Sequence, residues 1–565
     1  MADFETTTKV DDCRVWCYCI CEIGNEDNII IGKDISEFMK TLGTLGNCEV
    51  YFHNLRFDGQ FIIYHLLSNS YTHIENEKKM KDKTFTTLIS DLGQFYSIVI
   101  KIKKGCKIKI YDSLKKLPFK VKKISKAFNL QESKGEIDYQ KERPIGYELD
   151  DNEKEYVSND CIIVSKALNI QFTQGLTAMT IGSDALNSFK SMCQFDELFP
   201  KLTQEVDDFI RHSYRGGWVY CNPKYANKTM YDLEVYDVNS LYPSRMRYCK
   251  LAYGKEVFFK GEYQEDPEYP LYVQHLYCSF KLKPNCLPMV QIKNNPLYLA
   301  TEYQTNVTDD IVELYLTNVD LELFKDMYDI YYIDYIDGYK FQGQYDMFNN
   351  YIDYWNKIKM ENSDGHGDES LRTLAKLMLN NLYGKMASKT RTRRKIPYLD
   401  EETGIVKYVT SEEEIKDPIY TINACLITSY ARDLIVRSAV NCIDDFLYAD
   451  TDSLHLLKNP DTQNKIKIDS VKLGYFKCES CPTRGKFLRA KTYIEEINGK
   501  LNIKCAGMND QIKENMTWDQ FTYGFESDLK IAPRIVKGGV VLLNTPFTIK
   551  EPKCYNKNVK SSNMN

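Results

Sequence analysis

Apolar and polar residues follow a strand-like pattern in several short stretches near the start of the chain. Gln94 to Ile102 and Lys107 to Tyr111 predict two strands, and the Lys104-Gly105 pair between them favours a turn. Glu49 to Phe52 predicts a third strand that opens into a loop. These short β-rich runs precede a longer segment with a different period.

From Glu153 to Phe172 the apolar period becomes helical, with one stripe formed by Val157, Cys161, Val164 and Leu168. Asp150 and Asp151 stand where a helix N-cap is expected. The first 180 residues therefore predict an α/β domain, and residues 175–214 predict a connector into a second unit.

Two strand-like runs in the second unit end in carboxylates. Leu233 to Tyr236 leads to Asp237, and Phe446 to Tyr448 leads to Asp450 and Asp452. Each run by itself is also compatible with a surface turn. Carboxylates clustered at strand ends are costly unless a cation neutralises them, and two divalent ions about 4 Å apart serve in-line phosphoryl displacement.

Residues 369–385 show a helical period between these two runs. Apolar positions predict a buried stripe formed by Leu371, Leu374, Ala375, Met378 and Leu382, and the opposite face carries Arg372, Lys376, Asn380 and Tyr383. Two cations, an amide and a ring in a row suit a triphosphate and its base or sugar, although an ordinary solvated helix face has the same pattern. Gly384 predicts the end of this helix.

Residues 250–350 show no sustained period, and residues 386–420 are charged and rich in turn formers, which predicts two inserted segments. At 565 residues the chain is too long for one hydrophobic core, since single cores stop growing at roughly 250 to 300 residues. Hydrophobic residues make up 43% and charged residues 27%, as in soluble globular proteins. No apolar run of about 18 residues and no signal-peptide pattern is present, so we expect no membrane association and no secretion.

The net charge of −5 mildly disfavours a nucleic-acid partner, but cations are unevenly distributed. They cluster at Lys101, Lys103, Lys104, Lys107, Lys109, Lys115, Lys116, Lys120, Lys122, Lys123 and Lys126, and again at Lys385, Lys389, Arg391, Arg393, Arg394 and Lys395. A solvated face is the alternative interpretation of either run. The 18 cysteines lack a secreted-domain framework, and Cys478 with Cys481 has no second pair at zinc-finger spacing, which predicts free thiols.

A second carboxylate set lies in the first 180 residues. Asp3 and Glu5 share one side of an extended segment, Asp58 follows a predicted strand, and Tyr156 and Asp160 share one helix face. Four carboxylates and a tyrosine fit a second two-metal site, for hydrolysis.

Four stretches resemble motifs A, B, C and KxY of family B DNA polymerases, in their order: YDVNSLYP, KLMLNNLYG, YADTDS and KTY at residues 491–493. Further stretches resemble the protein-primed members and extend over nearly the whole chain: HNLRFDG, YDSLKKLPF, YRGG, LTNVDLEL, KCAGM and PFTIK. Asn381 stands where motif B commonly has serine. This difference leaves undecided only the detailed contacts with the nucleotide or the template.

The resemblance implies roles for residues of the polymerising site. Asp237 and Asp452 would ligate metal ions with the Val238 carbonyl, and Asp450 would assist nearby. The implied triphosphate or primer contacts are Lys359, Arg372, Lys376 and Lys491, with Asn380 and Tyr383 on the nucleotide and Tyr242 beneath its sugar. The implied DNA contacts there are Tyr214, Gly216, Gly217 and Tyr493.

The resemblance likewise implies a proofreading nuclease of the Asp-Glu-Asp-Asp-Tyr type. Its metal ligands would be Asp3, Glu5, Asp58 and Asp160, with Tyr156 orienting the attacking water and Lys134 as a catalytic lysine. The implied single-strand ligands are Thr6, Asn54, Phe57, Phe61, Ser113, Leu114 and Phe119, which would hold a frayed 3′ end by stacking and backbone contacts.

The implied fold is α/β and α+β multidomain: an RNase-H-like 3′–5′ exonuclease domain at 1–180 and a right-hand polymerase at 181–565. Within the latter, the palm carries the motifs at 237–243 and 448–453, with fingers at 359–385 and a thumb region at 490–550. The insertion at 250–350 would dock a terminal protein that primes synthesis, and that at 386–420 would serve strand displacement.

Implied ligands are Mg²⁺ or Mn²⁺, two per active site, and deoxynucleoside triphosphates. Implied partners are template and primer DNA and the terminal protein, with the enzyme a monomer in the cytoplasm of a bacterial host. Two rival interpretations are a dedicated nuclease with a degenerate polymerase module and a non-enzymatic single-strand-binding replication factor. The intact set of Asp237, Asp452 and Lys376 disfavours the first, and primer extension tests the second.

Only Met1 and Ala2 precede Asp3, whereas the protein-primed members have more residues there. We therefore predict a weakened edge strand, and with it an exonuclease that needs more metal than the polymerase and fails first on heating. A polar tail after Lys550 is predicted to be mobile.

Overall fold

The computed structural model describes residues 1–139, 141–362 and 367–552, so most of the predicted mobile tail lies outside the described residues. Within these ranges, no helix combines the length and the apolar character needed to span a membrane.

The N-terminal unit is built on a mixed five-stranded sheet and a three-stranded antiparallel sheet. Its elements are β1 (Ala2–Thr6), β2 (Val15–Glu22), β3 (Asn25–Gly32), α1 (Ile35–Leu45), β4 (Cys48–Phe52), α2 (Leu55–Ser68), β5 (Thr72–His73), β6 (Thr84–Ile89), β7 (Phe95–Lys103), β8 (Cys106–Asp112), α3 (Val121–Ala127) and α4 (Asp151–Thr173), with 3₁₀ turns at Glu77–Lys79 and Ser113–Lys115. The larger sheet has the order β4-β8-β7-β6-β5, and β1, β2 and β3 form the smaller one.

Several sequence predictions are confirmed here. The hairpin β7–β8 turns at Lys104-Gly105, and β4 is the predicted strand before a loop. Helix α4 begins with a capping box in which the Asp150 carboxylate accepts from the Glu153 N–H and the Glu153 side chain reaches back to Asp150.

The prediction of a weakened first strand is wrong. The Met1 ammonium donates to the Cys21 carbonyl at 2.7 Å, and the Cys21 N–H donates back to the Met1 carbonyl at 2.8 Å. Strand β1 then pairs with β2 from Ala2 to Thr6. The carboxylates of β1 therefore stand on a strand that pairs with β2 along its whole length. This pairing removes the reason for expecting an exonuclease that needs more metal than the polymerase and fails first on heating.

The next segment leads into a second sheet through α5 (Ile181–Lys190), α6 (Phe195–Leu198), α7 (Gln204–Arg211), β9 (Val219–Cys221), β10 (Thr229–Tyr231), β11 (Leu233–Val238) and α8 (Leu241–Tyr248). Residues 251–344 follow as β12 (Leu251–Lys260), β13 (Leu271–Leu282), β14 (Asn306–Thr317), α9 (Asn318–Met327) and β15 (Tyr328–Gln344). The four strands form an antiparallel sheet in the order β12-β15-β13-β14. This stretch therefore has regular structure, although its sequence shows no sustained hydrophobic period.

The chain continues with α10 (Asn349–Glu361), α11 (Glu369–Met386), β16 (Arg391–Thr392), β17 (Lys395–Leu399), β18 (Val406–Thr410), β19 (Glu414–Ile415) and α12 (Thr421–Asn441). Helix α11 confirms the predicted helix, with Leu374, Ala375, Met378 and Leu382 fully buried. Gly384 does not end it, because the helix runs on to Met386.

The last region comprises β20 (Phe446–Asp450), β21 (Ser453–Leu457), α13 (Thr462–Lys465), β22 (Phe476–Ser480), β23 (Arg484–Arg489), β24 (Thr492–Ile497), β25 (Lys500–Cys505), α14 (Asp510–Glu514), β26 (Glu526–Val536) and β27 (Gly539–Thr548). Strands β22-β11-β21-β20-β9 form the five-stranded sheet that carries the polymerase motifs, and β10-β23-β24-β25 form a second sheet beside it.

Two hairpins, β17–β18 and β26–β27, reach back to the N-terminal unit. The Tyr408 hydroxyl donates to the Gln60 side chain at 2.7 Å, and Val406, Val536 and Val540 join the hydrophobic core of that unit. At the tip of β26–β27, a Cβ on Gly539 would lie 2.4 Å from the Phe61 ring, so the close approach requires glycine.

Candidate active sites

The two predicted polymerase carboxylates lie side by side at one end of the five-stranded sheet. Strand β11 pairs antiparallel with β21 so that Asp237 is opposite Ser453, and the Val238 N–H donates to the Asp452 carbonyl at 2.9 Å. Asp452 follows Thr451, whose φ of 68° turns the chain tightly between β20 and β21. This register brings two motifs that are 215 positions apart in the sequence to one edge.

Burial, together with the neighbouring charges of Asp452 and Glu479, raises the pKa of Asp237 to about 7. Burial also raises the pKa of Asp452. Nearby cations, Lys477 and Lys359, counteract the shift at Asp237. Two half-buried carboxylates of like charge are held together here, an arrangement that a divalent cation would relieve.

A cavity of about 430 Å³ opens directly over these carboxylates. Its wall includes the predicted metal ligand Val238 and most of the predicted nucleotide contacts: Tyr242, Lys359, Arg372, Lys376, Asn380 and Tyr383. The Lys359 ammonium donates to the Ser240 hydroxyl at 2.8 Å, and burial together with Lys376, Lys477 and Arg372 lowers its pKa to about 8. Cations crowded this closely favour a polyanionic ligand.

The Tyr242 ring stacks on the Tyr383 ring with centroids 4.1 Å apart. A Cβ on Gly217 would lie 2.5 Å from Thr451 and 3.0 Å from the Tyr242 hydroxyl, so the YRGG segment touches the turn between β20 and β21 only because this residue is glycine. Gly216 has no such neighbour, and Tyr214 lies half-buried against the core beside α11.

Lys491 and Asp450 form an ion pair, which connects the end of β20 to the turn between β23 and β24 of the second sheet. The Lys491 N–H also donates to the Tyr448 hydroxyl at 2.9 Å. Tyr493 is 8% exposed and packs on Tyr448, so it supports the hairpin that presents Lys491. Its predicted contact with DNA stays a prediction.

The second set of predicted carboxylates converges in the N-terminal unit. Asp3 and Glu5 project from β1, Asp58 lies in the first turn of α2, and Asp160 lies one turn after Tyr156 in α4. Burial raises the pKa of Asp3 to about 7, with the Asp160 charge contributing, and it raises the pKa of Glu5 and of Asp58 well above the usual range. The four groups are therefore close enough to repel one another.

Lys134 forms an ion pair with Asp160, and its ammonium lies 5.5 Å from the centre of the Tyr156 ring. The Tyr156 hydroxyl is 2.8 Å from that of Tyr139. The i, i+4 spacing thus places the tyrosine and the carboxylate together, as predicted, and Lys134 joins them from a loop.

The predicted single-strand ligands are partly accessible. Thr6, Asn54, Phe57, Leu114 and Phe119 are exposed or half-buried, whereas Phe61 is 2% exposed and Ser113 is fully buried. Phe61 packs under the β26–β27 hairpin, and the Ser113 hydroxyl donates to the Phe52 carbonyl at 3.1 Å. Neither side chain presents a free surface to a strand in this conformation.

Sequence reasoning missed three residues that shape these sites. Lys477 lines the nucleotide cavity from β22, opposite Asp237 in register. Buried Arg432 pairs with Asp320 and donates to the carbonyls of Arg215 and Gly216, which holds the YRGG segment. Asp112 accepts from the backbone N–H groups of Asn54, Leu55 and Leu114. Arg432 and Lys477 stand outside the stretches that carry the family resemblance, whereas Asp112 lies within YDSLKKLPF, a stretch that pointed only to its neighbours Ser113, Leu114 and Phe119.

The side chains of both carboxylate clusters offer oxygen ligands, which suit hard divalent cations. No three His, Cys, Asp or Glu side chains in residues 1–139, 141–362 and 367–552 are arranged as a ready-made metal cage. All the same, both clusters supply carboxylate oxygens, as Mg²⁺ prefers, and Asp160 Oδ1 is buried with no hydrogen-bond partner among the described residues. A cation would satisfy that oxygen and offset the repulsion among the carboxylates.

Comparisons with known proteins match nearly the whole chain. The family model described as DNA polymerase type B, organellar and viral, matches residues 44–471. The DNA polymerase of Bacillus phage M2 is 45% identical, covering 97% of this chain and 99% of the relative. That of Bacillus phage phi29 is 44% identical, covering 97% and 98%.

A solved structure of phi29 DNA polymerase with primer-template DNA and incoming nucleotide substrates superimposes with a TM-score of 0.91 at 43% identity, covering 97% of this chain and 99% of that one. The fold class predicted from the motifs is thereby confirmed.

Proposed function

The chain belongs to the type B DNA polymerases of organelles and viruses and is a DNA polymerase of the phi29 type with an exonuclease domain, and from this premise we propose that it replicates a linear phage or plasmid genome by protein priming, with proofreading and strand displacement. The observation that supports this proposal most is the pair of separate carboxylate clusters, one facing a cationic cavity and one beside Tyr156 and Lys134. Primer extension with and without Mg²⁺ tests it, and product that grows without any divalent cation would contradict it.

At the polymerising site, we assign metal binding to Asp237, Asp452 and the Val238 carbonyl. Two Mg²⁺ ions bound there would activate the primer hydroxyl and stabilise the leaving oxygen. The cavity is lined by the ammonium groups of Lys359 and Lys376, which are point charges, and by the planar guanidinium of Arg372. These three cations would bind the triphosphate. Lys491, held by Asp450, would contact the primer.

At the degrading site, we assign metal binding to Asp3, Glu5, Asp58 and Asp160. Tyr156, fixed by the Tyr139 hydroxyl, would orient the attacking water, and Lys134 would supply positive charge beside the scissile phosphate. Phe57 and Leu114, which stay partly exposed, would hold the frayed strand by apolar contact.

Residues 250–350 form a sheet unit set apart by its own strand order, which suits docking of a terminal protein whose hydroxyl starts synthesis. The relatives' phage hosts support the cytoplasm of a bacterium as the place of action. The enzyme would act there as a monomer on template and primer.

Tyr242 is proposed to reject ribonucleotides, because its ring is fixed by Tyr383 at the floor of the nucleotide cavity. A 2′ hydroxyl would collide with the ring, so Tyr242→Val should raise ribonucleotide insertion by roughly tenfold or more relative to deoxynucleotide insertion. Single-nucleotide kinetics with both sugars measures the ratio. Deoxynucleotide addition by the same variant is the internal control, and an unchanged ratio removes this role from Tyr242.

The β17–β18 hairpin is proposed to serve strand displacement, since it bridges from the nucleotide helix to the N-terminal unit at Tyr408 and Gln60. Strands β16 and β19 pair with each other, so residues 393–413 can be replaced by a short Gly-Ser turn without separating the ends. We expect short extension on primed single strands to persist, but synthesis through duplex to fail at lower salt than in the wild type, because backbone contacts are lost. Equal yields of long product on a nicked duplex would exclude the assignment.

A further inference from the structure

A lysine without solvent exposure lies at the junction between the N-terminal unit and α5. The Lys116 ammonium donates to the Asp184 carboxylate at 2.5 Å and to the carbonyls of Leu176 and Ala178, each at 2.9 Å. All three ammonium hydrogens are therefore used inside the protein. Lys116 belongs to the lysine run of the sequence, yet it is buried while its neighbour Lys115 stays partly exposed.

Asp184 is equally buried, at 3% exposure, and its other oxygen accepts from the Ala178 N–H at 2.8 Å. Burying an ion pair costs desolvation, and well-packed apolar replacements are often as stable or more stable. A contribution to folding stability therefore does not by itself account for the Lys116–Asp184 pair. The two elements that the pair joins indicate a role in positioning.

On one side, Lys116 lies within the segment Ser113–Phe119, which carries proposed single-strand ligands. The Gln171 amide of α4 donates to the Lys116 carbonyl at 3.2 Å. His53 lies 3.0 Å from the Ser113 hydroxyl and 2.7 Å from the Phe119 carbonyl. His53 thus holds both ends of the segment within the N-terminal unit, whereas the Lys116 side chain ties its middle to the connector.

On the other side, α5 packs directly on α11, the helix of the nucleotide cavity. A Cβ on Gly182 would lie 3.7 Å from the Asn381 carbonyl and 3.6 Å from Lys385. Ala185 and Leu186 share a hydrophobic core with Leu374 and Met378 of α11. A continuous packed path thus runs from the single-strand segment through Lys116 and α5 to the nucleotide helix.

We propose that Lys116 and Asp184 are a positioning pair that fixes the segment Ser113–Phe119 relative to α11 and so sets the balance between degradation and synthesis. This inference rests on the proposed exonuclease function. Neither residue touches the reacting atoms, and both act through the segment and helix that they join.

The test is the double variant Lys116→Met/Asp184→Leu, which removes both charges without leaving one buried alone. We expect it to fold with a thermal midpoint near that of the wild type. Because the segment is no longer fixed, degradation of single-stranded DNA should fall about tenfold, while extension of a matched primer at saturating nucleotide stays within about twofold of wild type. The nucleotide concentration at which net extension replaces net shortening should fall as well.

Lys122→Met is the matched control, since it makes the same change at an exposed residue of α3 in the same lysine run, and it should keep the wild-type ratio of activities. If the double variant misfolds, Lys116→Gln/Asp184→Asn, which also removes both charges and keeps a polar group at each position, decides by the same ratio. A folded variant with the wild-type ratio, or parallel loss of both activities with the thermal midpoint, overturns the inference. A wild-type enzyme that degrades no DNA would instead contradict the proposed exonuclease function.

Discussion

Asp237→Ala should abolish nucleotide addition while single-strand degradation continues at its wild-type rate. The substitution removes one carboxylate from the pair at the end of β11 and β21, and the other cluster lies in a different unit on other strands. We expect extension to fall by roughly a thousandfold or more, as when one member of a catalytic set is removed. Gel analysis of one labelled primer measures both activities.

The thermal midpoint of the variant tests whether unfolding causes this loss of nucleotide addition. Asp237 and Asp452 repel each other in the absence of cation, so Asp237→Ala should leave the thermal midpoint in chelator unchanged or higher. Glu234→Gln, on the same strand but bonded to the Tyr236 hydroxyl, is the matched control and should extend primers normally. Loss of both activities in Asp237→Ala would mean that the two sites are not separate.

Asp58→Ala should abolish removal of 3′ ends while extension of a matched primer persists. Asp58 is 4% exposed and its pKa is raised by burial and by Asp3, which marks it as a member of the same cluster. We again expect a fall of roughly a thousandfold or more in degradation, with a rise in net misincorporation because mismatched ends are no longer removed. Degradation of a labelled single strand and a fidelity assay measure the two effects.

Glu49→Gln provides the control for this unit, since Glu49 is an exposed carboxylate paired with Lys109 on the neighbouring strand. It should degrade single strands at the wild-type rate. An Asp58→Ala enzyme that still clears mismatched ends quickly would remove Asp58 from the assignment.

The sequence predicted those parts of the sites that follow from local pattern. Carboxylates at strand ends, the cap at Asp150 and the two faces of α11 each depend on residues near one another in the chain. The structure adds the register that joins them, such as Asp237 opposite Ser453.

Other features escaped because distant contacts decide them. Strand β15 has seventeen residues, many of them half-exposed, and therefore shows no clean alternation. Lys116 was indistinguishable from the solvated lysines beside it, because its burial depends on Asp184 and two carbonyls of the connector. The first strand seemed frayed only because its pairing with Cys21 is not a local feature.

The most direct test of two separate sites on one chain uses a single primed template with a 3′ mismatch and a 5′ label on the primer. Without nucleotides, wild type should shorten the primer, and with nucleotides it should remove the mismatch and then extend. Asp237→Ala should only shorten, and Asp58→Ala should stall at the mismatch yet extend a matched primer. Wild-type extension that retains the mismatch in every product would contradict the account.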